Sequence, residues 1–114
     1  MRPPGGARRG LDIWLVQRAS AVYMALFLPL FLVFALQAAP LDFQAWRGLF
    51  APLAVKVASL LFAAALLLHA WIGVREICID YVAPLRLRLA LYFLFGTLYA
   101  GCLVWAADIL WSVA

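Results

Sequence analysis

A single histidine, His69, stands in a long apolar stretch of this 114-residue chain. An ionisable ring in such surroundings is costly unless it is paired, ligated or part of a functional site. Ala65 lies four residues before it and Gly73 four after, and on a helix both share its face. An imidazole between two small residues has a flat recess beside it, wide enough for a planar ligand such as a haem. The same spacing also suits a histidine hydrogen-bonded to a neighbouring helix, with Ala65 and Gly73 allowing close approach. With one histidine the chain can offer iron one imidazole, so any bis-histidine haem would sit at an interface with a second chain.

Two further residues follow at the end of the same stretch. Asp80 is eleven residues after His69, which on a continuous helix is ~1100° of rotation and leaves it about 20° from the histidine's face. Tyr81 is adjacent. Its hydroxyl can donate to a carbonyl oxygen, with the neighbouring carboxylate orienting it; an aromatic anchor beside a solvated carboxylate is the plainer alternative. Arg18, at a depth similar to that of His69, can pair with an anionic group such as a haem propionate, or sit as a charge among lipid phosphates. Gly96 and Ala100 form a small-xxx-small pair with Gly101 beside them, which marks a close-packed face within the chain or against a partner. Cys78 and Cys102 fall at depths about 20 Å apart, too far for a disulfide. The sequence holds no P-loop, no zinc-ligand cluster and no nucleophile with a base in the apolar core, so self-contained catalysis is not expected.

The elements that position these residues are set by composition. The chain is 69% hydrophobic and 12% charged, whereas soluble domains are about 45–50% apolar and about 25% charged. A water-soluble globule, a disordered tail and a disulfide scaffold are excluded. The net charge of +4 does not point to nucleic acid, because the arginines flank the apolar runs as topology signals do. Residues 19–41 carry no charge, a second run from residue 48 to 74 carries only Lys56, and residues 89–107 carry none. At ~20 residues per crossing the expectation is an all-α integral membrane protein with three transmembrane helices, over 14–37, 49–76 and 89–113. A mobile basic tail over 1–13, an outer loop over 38–48 and a cytoplasmic loop over 77–88 complete the chain. Pro29 lies inside the first crossing, which membrane helices tolerate, and the run is too long for a cleaved signal core, so the helix is expected to be retained.

Arg2, Arg8, Arg9 and Arg18 precede the first crossing, and Arg75, Arg86 and Arg88 lie between the second and third. Only Arg47 and Lys56 fall on the other side. The positive-inside tendency therefore predicts a cytoplasmic N-terminus and a periplasmic C-terminus. Trp14, Trp46, Trp105 and Trp111 fall near the predicted span ends, where amphipathic rings prefer to sit.

The motif Arg18-Ala19-Ser20-Ala21, then Leu68-His69-Ala70-Trp71-Ile72-Gly73-Val74, then Asp80-Tyr81-Val82-Ala83-Pro84-Leu85-Arg86-Leu87-Arg88-Leu89 resembles the small hydrophobic membrane-anchor subunit, the D-type anchor, of succinate dehydrogenase (complex II). The similarity spans the first crossing to the start of the third. It implies packing with a companion cytochrome b anchor subunit that shares one haem b. It also implies an iron–sulfur subunit, a flavoprotein subunit carrying FAD, and ubiquinone as electron acceptor. By the same resemblance His69 is an axial haem ligand, Arg18 lies near the propionates, Tyr81 hydrogen-bonds the quinone carbonyl and Asp80 is its neighbour. The membrane is then the bacterial inner membrane, and the chain itself is a non-catalytic subunit. The competing possibility is a small multi-pass structural or transport protein that assembles through helix–helix contacts without haem.

Overall fold

In the computed structural model the described residues run from Pro4 to Val113, with side chains described from Gly10 onward. They form four helices: α1 over Pro4–Leu36, α2 over Phe43–Leu49, α3 over Leu53–Tyr81 and α4 over Leu85–Trp111. α1, α3 and α4 contain stretches long and apolar enough to cross a membrane, Gly10–Leu36, Leu53–Tyr81 and Leu85–Trp111. Three crossings are thus present among the described residues, with no strand.

Local chemistry sets the breaks between helices. α1 continues through Pro29. At its far end Ala38 N–H and Ala39 N–H turn back onto the carbonyls of Ala35 and Leu36 at 3.0 and 3.2 Å. The Asp42 side chain then caps α2, its Oδ1 accepting from Ala45 N–H at 2.7 Å; a carboxylate satisfies amides that a helix start leaves unpaired. α3 opens after Pro52, whose carbonyl accepts from the amides of Val55 and Lys56, both at 3.1 Å. At the other end Pro84 disfavours helical geometry at Ala83, and α4 starts directly behind it.

These bounds differ from the spans read off the sequence. The loop expected over 77–88 is shortened to 82–84, because α3 runs on to Tyr81 and α4 begins at Leu85. The Arg88 guanidinium stitches the tight link, donating from Nε and Nη2 to the Val82 carbonyl at 3.2 and 3.0 Å. The outer segment expected over 38–48 holds α2, which the Asp42 cap nucleates. Of the basic tail expected over 1–13, residues 1–3 lie outside the described residues, and from Pro4 the backbone is already helical. Proline at a first helical position costs little, since that amide has no intrahelical partner anyway.

α3 packs against both α1 and α4, whereas α1 and α4 scarcely meet. The crossings form a row with α3 in the middle, 59 × 26 × 21 Å in extent. The buried set is small: Ser20, Ala35, Leu49, Ile72 and Cys78, and no large side chain is fully enclosed among the described residues. Leucines, valines and aromatics cover the outside of all three crossings, the arrangement expected where lipid rather than water is the solvent. Among the described residues Cys78 and Cys102 are free.

The two ends of the row are unlike. At one, Arg75 stands in the last two turns of α3 and Arg86 and Arg88 in the first turn of α4, around the α3–α4 link; this is the basic end. At the other, α2 folds against the end of α1 through aromatic rings. Phe31 lies 6.0 Å from Trp46 and 5.5 Å from Phe50 between ring centroids. There Lys56, in the first turn of α3, donates from Nζ to the Val113 carbonyl just beyond α4 at 2.7 Å. A cation at a helix C-terminus satisfies a carbonyl with no intrahelical partner and complements the local dipole.

Candidate functional site

His69 lies on the face of α3 turned to α1. Its Nδ1 is 3.1 Å from the Ser20 hydroxyl oxygen of α1. The same hydroxyl donates to the carbonyl of Gln17 at 2.8 Å, one turn back on its own helix. Ser20 is only 6% exposed, so the contact is held inside the seam. Nε2 has no hydrogen-bond partner among the described residues. Gly73, one turn further along, would carry a Cβ into open space, with nothing within 4 Å. The histidine thus has one nitrogen tied to protein and the other without a hydrogen-bond partner among the described residues.

A shallow groove of about 350 Å³ runs along this seam, lined by Val16, Ala19, Ser20, Tyr23, Ala65 and Leu68 among others. The groove includes Ala65, the small residue one turn before His69. Deeper in the same seam the Tyr23 hydroxyl donates to the Ala58 carbonyl at 2.6 Å, and Phe27 stacks on Phe62 with centroids 4.8 Å apart.

Trp71, two residues after His69, takes the other side of α3, since two residues are ~200° of helix rotation. Its ring meets Tyr92 of α4 edge-on at 5.7 Å and lies 4.0 Å from where a Cβ on Gly96 would stand. The small-residue face seen in the sequence is therefore used at Gly96 within the chain, as the seat of a tryptophan.

Asp80 and Tyr81 form the last residues of α3, and both are exposed. A 29-residue helix is ~44 Å long, against ~30 Å of hydrocarbon. That helix is longer than the apolar layer, and apart from Lys56 its charged residues, Arg75, Glu76 and Asp80, stand in its last two turns. Tyr81 is 83% exposed and lies ~18 Å of helix rise beyond His69. Its ring and the histidine's cannot touch the same small group. Arg18, one turn after Trp14, places its guanidinium carbon 5.3 Å from that ring's centroid, a cation–π arrangement. Among the described residues no hydrogen bond or ion pair joins any two of Arg18, His69, Asp80 and Tyr81. Among the described residues no group of three or more His, Cys, Asp or Glu side chains lies close enough together to hold a metal ion.

Ser20 is the residue that sequence reasoning passed over. The stretch Arg18-Ala19-Ser20-Ala21 draws attention to its charge, yet the hydroxyl two residues on is the group that reaches His69. The one serine of an apolar span, at the depth of the only histidine, was the available signal.

The family described as succinate dehydrogenase/fumarate reductase transmembrane subunit matches residues 3–107 of the chain. The chain is also 38% identical, over 105 residues, to the succinate dehydrogenase hydrophobic membrane anchor subunit of Coxiella burnetii (strain RSA 493 / Nine Mile phase I). That match covers 92% of this chain and 91% of the relative.

Proposed function

Because the chain belongs to the succinate dehydrogenase/fumarate reductase transmembrane subunit family, we propose that it contributes one axial ligand to haem b and part of a quinone site. Electrons from succinate oxidation thereby reach ubiquinone in the bacterial inner membrane. The observation that carries this is the posture of His69, with Nδ1 held at 3.1 Å by Ser20 and Nε2 without a hydrogen-bond partner among the described residues. A neutral imidazole with one nitrogen anchored and the other free fits an axial iron ligand. When bound, haem b supplies a one-electron relay within the membrane.

The remaining roles rest on the family resemblance, supported by the exposure of Arg18, Asp80 and Tyr81. His69 offers one axial bond, so the second comes from a companion cytochrome b anchor subunit lying against the open face of the row. Arg18, exposed and with a guanidinium that stacks on Trp14, is available to a propionate or another anion near the basic end. Tyr81 donates its hydroxyl to a quinone carbonyl, with the exposed Asp80 as its neighbour at the end of α3. The arginines at 75, 86 and 88 form a basic rim on the cytoplasmic side. That rim receives the iron–sulfur subunit, which carries the FAD-bearing flavoprotein subunit, and electrostatic attraction speeds and orients such docking.

Purification of the chain in its native complex tests this. The expected result is a low-spin bis-histidine haem spectrum together with co-purified flavin and iron–sulfur subunits; absence of both overturns the proposal. In that complex Tyr81→Phe should lower quinone reduction on the order of 10- to 100-fold, the scale of a hydrogen bond to developing charge, with unchanged haem absorbance. Reduction at the wild-type rate would leave Tyr81 as an interface anchor only.

A further inference from the structure

A hydroxyl has one proton, and a backbone carbonyl can only accept. The 2.8 Å bond from Ser20 to the Gln17 carbonyl therefore consumes the Ser20 proton. The oxygen that remains can only accept from His69, 3.1 Å away. Reversing the hydroxyl toward the imidazole would set the lone pairs of the Ser20 and Gln17 oxygens against each other at 2.8 Å inside a seam where Ser20 is 6% exposed. We infer that Ser20 is the positioning residue of His69: it holds the imidazole in the tautomer with the proton on Nδ1 and so directs the Nε2 lone pair outward to iron. This rests on the haem reading of the preceding section and goes beyond it in assigning the residue that prepares the ligand.

Two effects follow from that hydrogen bond. The ring is fixed in rotation, so iron binding spends less on ordering it. Donation from Nδ1–H to Ser20 also makes Nε2 a stronger electron donor, which favours the ferric over the ferrous state. The Gln17 carbonyl in turn keeps Ser20 aimed, since a serine bonding back to its own helix has a settled rotamer.

The test uses the whole purified complex with two substitutions, Ser20→Ala and Ser20→Cys. Cysteine nearly keeps the volume and accepts hydrogen bonds poorly, so it decides the question if the alanine complex does not assemble. Haem affinity is read by titrating haem-depleted complex, the midpoint potential by redox titration, and ligand orientation by the electron paramagnetic resonance of the ferric haem. The expected result is a ~10- to 100-fold weaker haem affinity, a potential displaced to more positive values and altered g-values in either variant. Wild-type affinity, potential and g-values in both overturn the assignment. His69→Ala is run alongside: loss of the bis-histidine spectrum there with wild-type behaviour in the Ser20 variants refutes the Ser20 role alone. An unchanged spectrum in His69→Ala refutes the haem reading and the Ser20 role with it.

Discussion

Along α3, the face turned to α1 meets its neighbour with hydrogen bonds, whereas the face turned to α4 meets it with shape. On the first, Ser20 reaches His69 and Tyr23 reaches the Ala58 carbonyl. On the second, Trp71 settles against Gly96 and Tyr92, and the polar tie, from Lys56 to Val113, is kept to the far end. In lipid neither seam gains from excluding water, so each must rely on packing or on polar pairing. Packing sets distance well but leaves a ring free to choose its tautomer. Hydrogen bonds set the orientation of a particular nitrogen. The two residues His69 and Trp71 divide these tasks between opposite sides of one helix turn.

That contrast can be broken by substitution, and the largest effect is expected at His69. His69→Ala should abolish one axial bond, leaving a haem that is lost or high-spin in absorbance spectra. The complex should still assemble, because the packing seam is untouched; failure of the subunits to co-purify would mean that the histidine seam carries the fold as well. Next comes the packing seam. Gly96→Ala fits at ordinary contact distance from Trp71 and should be nearly neutral. Gly96→Leu should displace the indole and cost about 1–3 kcal/mol, read as a lower thermal midpoint of the complex with the haem spectrum retained. The smallest effect is expected from Tyr23→Phe, which deletes one interhelical hydrogen bond worth about 0.6 kcal/mol in membrane proteins. A thermal shift there as large as that of Gly96→Leu would show that the polar seam holds the row together too.

Much of the architecture is legible in the residues themselves. Long apolar runs such as 19–41 and 89–107 have no stable home in water, and the number of such runs is the number of crossings. The short features escape because they depend on single polar contacts. The Asp42 cap turns part of an expected loop into α2, and the double grip of Arg88 on Val82 lets α4 start three residues after Val82. His69 stands out as the one histidine in an apolar run. Its partner does not, because Ser20 is 49 positions away and helical periodicity relates only residues within one helix. The small pair at 96 and 100 shows the same limit: spacing announces a close-packed face, and only the fold says that Trp71 occupies it at Gly96.

A row of three rods with the middle one touching both others has no interior to lose. α1 and α4 share no seam, so either can peel from α3 without waiting for its counterpart, and heating the lone chain would give gradual loosening rather than one sharp calorimetric transition. All-or-none melting of the assembled oxidoreductase would then be a property conferred across the row's two broad faces by whatever lies against them.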